Sequence, residues 1–456
     1  MAQSDKKEVI KAQRGTQDVL PANVHKWQYI ERKVLEIAGN FGFTEIRFPT
    51  FEDTNLFQRS VGDTTDVVQK EMYTFPDKGG RSITLRPEGT AGTVRAVLEN
   101  GLLNEALPQK LCYITSCFRY EKPQAGRLRE FHQFGVEMFG AKSPAADAEV
   151  ISLGSQLLST FGMDDIVLEI NSIGCPECRP HYHKALKSYF EGRKGDLCPT
   201  CLDRLEKNPM RILDCKSPVC SEIAKGAPVS LDYLCDECKT HFDGVKARLD
   251  AIGIVYKVNP KIVRGLDYYT KTVFEFLSGA VGSQSAVCAG GRYDGLVEEM
   301  GGNKTPGLGF AMGIERLLLA MENKKVPFPE TKKCDLYIGS LGEKGAVKAL
   351  GLCSALRDEG FFAECDLMER GLKAQMKYAD KIGARFSLVL GDNEIETDQA
   401  ELKNMATGEK TTVNLGSGLL SALYDVSISS ALDSMAESLE GLDLPINFLT
   451  DKEKEK

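Results

Sequence analysis

Eight of the fourteen cysteines crowd into the stretch from Cys175 to Cys238, and they come in four pairs: Cys175/Cys178 in GCPECR, Cys198/Cys201 in LCPTCL, Cys215/Cys220 in LDCKSPVC and Cys235/Cys238 in LCDECK. Three pairs are C-x2-C and one is C-x4-C, spacings at which two thiolates from one tight turn reach the same tetrahedral ion. The N-terminus, MAQSDKKEVIKAQRG, carries no apolar segment behind its charges, and no later run reaches the ~18 apolar residues of a membrane span, so a cytoplasmic protein is expected. In that reducing compartment disulfides are disfavoured and zinc becomes the expected partner of the thiols. Eight thiolates suffice for two structural four-thiolate sites, with His181, His183 and His241 close enough in sequence to substitute. The competing reading, reduced thiols packed as small hydrophobes, accounts poorly for four spaced pairs.

The rest of the chain is of ordinary globular make-up. Its 456 residues suggest about three domains; 42% are hydrophobic and 27% charged, which excludes a disordered or fibrous protein. A net charge of −8 argues against a protein that coats nucleic acid unspecifically, while leaving room for a local basic surface. Trp27, Ile30, Val34, Ile37 and Phe41 recur at helical spacing before Gly42, which predicts a helix over about 22–41. GFTEIRFP and ITLRPEG read as strands, and Val94, Val97 and Leu98 mark a helix. LCYITSCFRY and FHQFGVEMFG, joined by the polar loop EKPQAGRLRE, predict a long antiparallel hairpin. The cysteine block from about Asn171 to Gly253 interrupts this pattern as an insertion. YKVNPKIVRGLDYYTKTVFEFLS resumes strand character, GLGFAMGIERLLLAM runs from a strand into a helix at about Met312, and VPFPETKK reads as a linker. Beyond Cys334, the strands CDLYIG, FFAECDL and ARFSLVLG alternate with two helical patterns, the signature of a parallel βαβαβ domain. A further amphipathic stretch and the charged tail DKEKEK follow.

Several polar positions stand out individually. Period-2 alternation puts Phe134, Val136 and Met138 on one face of the second hairpin strand and Gln133, Gly135 and Glu137 on the other, away from the core. Arg119 shares the first strand's corresponding face with Tyr113, Thr115 and Cys117, so the hairpin can present Arg119, Gln133 and Glu137 to one ligand; an ordinary solvent face with a cross-strand ion pair is the plainer alternative. RGLDYYT sets Arg264 beside Tyr268 and Tyr269, rings able to wall a small polar aromatic ligand. AGGRYDGL is a glycine-rich turn, a weak signal alone. In GLGFAMGIERL, Gly307, Gly309 and Gly313 permit flat access for a base, and Arg316 suits polyphosphate. The chain contains no GxxxxGK[ST] phosphate loop.

With these segments in view, a family resemblance emerges. FRYEKPQAGRLREFHQFGVEMFG resembles motif 2 of class II aminoacyl-tRNA synthetases and GLGFAMGIERL resembles their motif 3, while RGTQDVLP, LRPEGT, RGLDYYT and AGGRYDGL together resemble the histidyl-tRNA synthetase family. The resemblance spans nearly the whole chain. It implies an α+β class II catalytic domain, an antiparallel sheet flanked by helices, over residues 1–330, with the Cys-rich insertion at 171–256 inside it. An α/β anticodon-binding domain over 331–425 and a helical extension with its charged tail over 426–456 complete the expected organisation.

The activity so implied is ATP-dependent: the carboxylate of L-histidine attacks the α-phosphorus to give histidyl-adenylate, and tRNA(His) then accepts the histidyl group. Such chemistry needs positioning and cations rather than covalent help. Arg119 and Arg264 match the arginines expected on either side of the α-phosphate; Arg127 and Arg316 match residues near the β- and γ-phosphates, with Mg2+ bridging. Glu88 and Thr90 match positions holding the α-amino group. Glu137, Tyr268 and Tyr269 are expected to read the imidazole, and Gln133 to contact histidine or ATP. A homodimer, free of membrane, is expected. The synthetase motifs do not require the cysteines, so the metal set of Cys175, Cys178, Cys198, Cys201, Cys215, Cys220, Cys235 and Cys238 rests on spacing alone. Because no assigned ATP or histidine residue lies between Cys175 and Cys238, adenylation is expected to tolerate chelation better than the insertion's fold does, and metal loss to weaken aminoacylation more than pyrophosphate exchange. The rival is a non-catalytic relative, the regulatory subunit of ATP phosphoribosyltransferase, which generally lacks the anticodon-binding domain and degrades the signature motifs; both are intact here.

Overall fold

The computed structural model describes residues 9–62, 65, 67–215, 217–281, 286–425 and 428, so the expected extension over 426–456 lies, apart from residue 428, outside the described residues. The chain divides into a unit ending at Pro329 and a second beginning at Glu330.

The first unit is organised by a sheet whose strands come from far apart in sequence. Strands β1 (Thr44–Glu45), β2 (Phe51–Asp53), β3 (Tyr73–Pro76), β4 (Ser82–Leu85), β5 (Gln109–Phe118), β6 (Glu130–Phe139), β7 (Val167–Ser172), β8 (Lys257–Val258), β9 (Thr270–Leu277), β10 (Ala286–Arg292) and β11 (Gly307–Gly313) occur in chain order. Eight of them form one sheet in the order β1-β5-β6-β11-β10-β9-β7-β8, while β2, β4 and β3 form a small separate sheet. The inner ladders are antiparallel; only the marginal pairs β1–β5 and β7–β8 run parallel. The expected hairpin is β5–β6, in which Thr115 stands opposite Gln133, Tyr113 opposite Gly135 and Leu111 opposite Glu137.

Helices cover one face. Helix α1 (Pro21–Asn40) starts with proline in its first turn, where the missing N–H costs nothing, and buries Ile30, Val34 and Ile37 as the spacing predicts. They pack with Phe134, Val136 and Met138 of β6 and with apolar residues of helices Pro144–Thr160 and Ile314–Asn323. The opposite face of the hairpin is buried as well, which the alternation alone did not reveal: Glu137, Tyr113, Thr115 and Cys117 are all enclosed. A second layer covers them. It comprises the helix Thr90–Glu99, the loop through Tyr268 and Tyr269, and the earlier part of the insertion, whose side chains from Tyr182 to Ala227 share an apolar cluster with those tyrosines, while its last helix buries Phe242, Val245 and Leu249 in the first cluster.

The segment 256–278, read as continuous strand, is strand only at β8 and β9; between them Pro260 and Gly265 break the ladder and the signature residues ride on a loop. The insertion is helical, with helices Cys178–Glu191, Pro199–Lys207, Pro218–Ala224 and Asp236–Ala251.

In the second unit, β12 (Leu336–Ser340), β13 (Ala363–Cys365) and β14 (Phe386–Leu390) are parallel, as the alternating pattern predicts, and order as β13-β12-β14. Two strands that the sequence reading missed, β15 (Gln399–Asn404) and β16 (Lys410–Asn414), extend this sheet antiparallel. β15 alternates only over Gln399–Leu402 and β16 buries Val413 alone, patterns too short to stand out from a polar loop. No helix among the described residues is long and apolar enough to cross a membrane.

Candidate functional site

All ten residues singled out for ATP and histidine, Glu88, Thr90, Arg119, Arg127, Gln133, Glu137, Arg264, Tyr268, Tyr269 and Arg316, line a single cavity of about 570 Å³. They arrive from four places: the start of the helix Thr90–Glu99, the β5–β6 hairpin, the loop before β9, and the junction of β11 with its helix.

Glu137 is the most constrained of them. Its carboxylate accepts a hydrogen bond from the Tyr113 hydroxyl at 3.1 Å and another from the Tyr293 hydroxyl, with Thr90 a third neighbour. Burial pushes its carboxyl up to about 8, the hydroxyl donors opposing. The register places Gly309 of β11 directly opposite Glu137, and a Cβ at Gly309 would collide with that carboxylate. The glycine of GLGFAMG therefore makes room for an acid, and a Cβ at Gly307 would likewise strike the Tyr293 ring. Tyr113 and Tyr293 were missed as site residues; the only signals were the shared strand face of Tyr113 and the tyrosine within AGGRYDGL. Tyr268, Tyr269 and Tyr293 form a wall, with ring centroids 4.7, 5.5 and 6.5 Å apart pairwise.

Glu88 accepts from the backbone N–H groups of Thr90 and Ala91 at 2.7 and 2.8 Å, so it caps the helix that it precedes. Burial pushes its carboxyl up, with the two donors pulling the other way. Gln133 accepts from the Cys117 thiol at 3.3 Å.

The cations gather around the hairpin loop. Arg119 donates from Nε to the Pro87 carbonyl at 2.8 Å. Arg127 closes a tight turn with Gln124 and pairs with Glu121. Arg316 donates to the carbonyls of Gly126 at 3.3 Å and Ala286 at 2.7 Å. Burial, and next the proximity of Arg127, lower the Arg316 pKa, with Glu121 opposing. Arg264 pairs with Glu275 of β9 and stacks over the Tyr269 ring at 5.4 Å. Glu275 was not among the expected residues.

The cysteines assemble into two sets, nested in the chain: Cys175, Cys178, Cys235 and Cys238 form the outer, and Cys198, Cys201, Cys215 and Cys220 the inner, with all sulfurs of a set within 4.8 Å of one another. Sulfur–sulfur separations are 3.6 Å for Cys175–Cys178 and 3.9 Å for both Cys175–Cys235 and Cys198–Cys215. Four thiolates at about 2.3 Å from one zinc stand about 3.8 Å apart. The Cys235 and Cys198 N–H groups donate to the Cys178 and Cys220 sulfurs at 3.1 and 3.2 Å, the kind of bond that would orient a thiolate toward a metal. Of the histidines considered as substitutes, His241 instead meets Asp147 at 3.2 Å, beside a buried Arg292–Asp147 ion pair.

Comparison with known proteins agrees with this geometry. A family model described as histidyl-tRNA synthetase matches residues 15–176 and 226–317, passing over most of the insertion, and an anticodon binding domain model matches 335–419. The histidine–tRNA ligase of Acetivibrio thermocellus is 56% identical over 404 residues, covering 89% of this chain and 97% of that protein. The ligase of Clostridium novyi is 54% identical over 406 residues, covering 89% and 97%. The crystal structure of apo histidyl-tRNA synthetase from S. aureus superposes with a TM-score of 0.77 at 41% identity, covering 89% of this chain and 98% of that one. The chain belongs to the histidyl-tRNA synthetase family, class II aminoacyl-tRNA synthetases with an anticodon-binding domain.

Proposed function

We propose that this protein attaches L-histidine to tRNA(His) at the expense of ATP, through histidyl-adenylate, in the cytoplasm and as a homodimer. The observation that carries the reading is the convergence on one cavity of an arginine group around the hairpin loop and an acid ringed by tyrosines. Histidine's carboxylate attacks the α-phosphorus of ATP as pyrophosphate leaves, and charge grows on the phosphoryl oxygens. Arg119 and Arg264 stabilise it from either side, each held in advance by a partner, the Pro87 carbonyl and Glu275 respectively. Arg127 and Arg316 hold the outer phosphates, where Mg2+ entering with ATP would neutralise further charge. Glu88 and Thr90 receive the α-amino group, and Gln133 contacts histidine or ATP.

Glu137 accepts from an imidazole N–H while Tyr268 and Tyr269 flank the ring. A ligand donor there favours the ionised carboxylate, offsetting the burial that now raises its pKa. Amino acids without such a donor leave a buried acid unpaired, a penalty large enough to discriminate. The 335–419 domain serves the anticodon. The regulatory-subunit alternative is less supported, since the curated relatives above are ligases over 97% of their length. Both four-thiolate sets hold structural Zn2+, the separations and N–H···S bonds fitting tetrahedral thiolate coordination. The decisive experiment is ATP–pyrophosphate exchange with each amino acid in turn: histidine alone should support it, and exchange with another amino acid, or none with any, refutes the reading.

A further inference from the structure

The loop that carries Arg264, Tyr268 and Tyr269 is gripped from two sides through a residue that no motif reading singled out, Asp267. On the catalytic side, the Asp267 N–H donates to the Val61 carbonyl at 3.2 Å. Gly62 follows with φ of +92°, and a Cβ there would come within 2.7 Å of the Asp267 carboxylate, so the backbone lies close against it. On the other side is the insertion. Arg211 donates from Nη2 to the Gly265 carbonyl at 3.0 Å and to Asp267 Oδ1 at 2.9 Å, and Asn208 donates to the same oxygen at 3.2 Å.

Arg211 and Asn208 belong to the stretch between the two halves of the inner cysteine set. From Cys201 the chain runs through the end of the helix Pro199–Lys207 and the turn Pro209–Ile212 to Asp214, which itself lines the catalytic cavity, and then reaches Cys215. Met210 and Ile212 of this turn are buried in the same apolar cluster as Tyr268 and Tyr269. The stretch is a pair of short helical pieces joined at Asn208, and both its ends are cysteine pairs whose sulfurs converge on one point, so fixing the ends fixes where these pieces set Arg211. The outer set does not flank this stretch; its neighbours reach the loop elsewhere, Arg179 interacting with the Asp267 charge and the Lys271 N–H donating to the Gly174 carbonyl at 2.8 Å.

We propose that the inner four-thiolate site is a clamp on the 264–269 loop, so that metal bound by Cys198, Cys201, Cys215 and Cys220 positions the histidine site through Arg211. This rests on the reading of the inner set as a zinc site. It narrows the expectation that adenylation tolerates chelation better than the insertion's fold does, by tying histidine binding to the inner site. Arg211 is a positioning residue, acting through Asp267 and Gly265.

The test uses the full-length protein with three variants: Cys215→Ser/Cys220→Ser, Arg211→Ala and Arg211→Lys. Zinc per chain and the separate KM values for histidine and ATP in pyrophosphate exchange are measured for each. The cysteine variant should fall from about two zinc ions to about one. Both it and Arg211→Ala should raise the histidine KM by about tenfold, the scale of losing a charge-assisted hydrogen bond, and the ATP KM far less. Arg211→Ala should keep both ions, and Arg211→Lys should recover part of the histidine affinity. An unchanged histidine KM in Arg211→Ala, or in a folded cysteine variant that has lost one ion, overturns the clamp while leaving the zinc reading intact. Wild-type protein purified without chelator that holds no zinc, with all eight thiols titratable, overturns the zinc reading and the clamp with it. Should the cysteine variant not fold, Arg211→Ala decides alone.

Discussion

Glu137 and Cys201 are equally enclosed, at 1% and 0% exposure, but different kinds of structure enclose them. Glu137 sits in the middle of a long antiparallel ladder, opposite a glycine that leaves it space and beneath two tyrosine hydroxyls that hold it. Backbone hydrogen bonds to strands on both sides fix its position before any ligand arrives. Cys201 lies in a set of short helices and 3-10 turns that forms no sheet, where the clusters of sulfur are the natural fastening. The contrast sets polar groups on long, laddered strands beside a region of short helices whose thiol clusters, on the proposed reading, fasten it by coordination.

Chelation gives that comparison its largest test. Stripping zinc should unfold the insertion, seen as lost helical circular dichroism and rapid proteolysis between Cys175 and Cys238, because free energies of about 10 kcal/mol or more accompany structural zinc binding. The sheet should survive. If the insertion stays protease-resistant without metal, packing alone holds it and the two regions are less different than described.

Next in size is Arg264, proposed to face the α-phosphate and carried on the loop that both regions touch. Arg264→Ala should lower the adenylation rate by roughly 10²-fold or more with the fold kept, since charge stabilisation in the transition state is lost. Wild-type exchange in a folded Arg264→Ala protein would remove the residue from the site.

A smaller change is expected at the sheet itself. Glu137→Ala should raise the KM for histidine by roughly tenfold or more and leave that for ATP nearly unchanged. Parallel effects on both constants would point to collapse of the tyrosine cage instead of a lost imidazole contact.

The mildest effect is a pH slope. Because burial raises the Glu137 carboxyl from 4.5 to about 8, the folded protein without histidine keeps a proton that the unfolded chain has released. Its contribution to stability is complete below about pH 4.5 and is lost as pH rises through about 8. Urea unfolding across that window should show the wild type losing stability relative to Glu137→Gln, whose side chain cannot ionise; parallel curves would mean that Glu137 is already charged in the free site.

Much of this was legible in the linear chain. The hairpin, helix α1, the parallel strands β12 to β14 and the ten cavity residues all sit in segments whose periodicity or motif is local. What escaped was relational. Tyr113 and Tyr293 are far from Glu137 in sequence, and nothing in either local pattern says that their hydroxyls meet its carboxylate. The second hairpin face read as outward because alternation reports a change of face and not what covers it.

By itself, then, the amino-acid order determined which residue types were available and at what spacing: the arginines of the motifs, the tyrosine pair, four thiol pairs fit for metal. Only the tertiary structure decided the pairing of pairs, joining Cys175/Cys178 to Cys235/Cys238 and Cys198/Cys201 to Cys215/Cys220, and bringing Arg211 of the segment between the inner pairs onto Asp267. Coordination spacing acts within a turn, whereas the partner of a turn is chosen by how helices close over an apolar core, a long-range outcome that no local pattern contains.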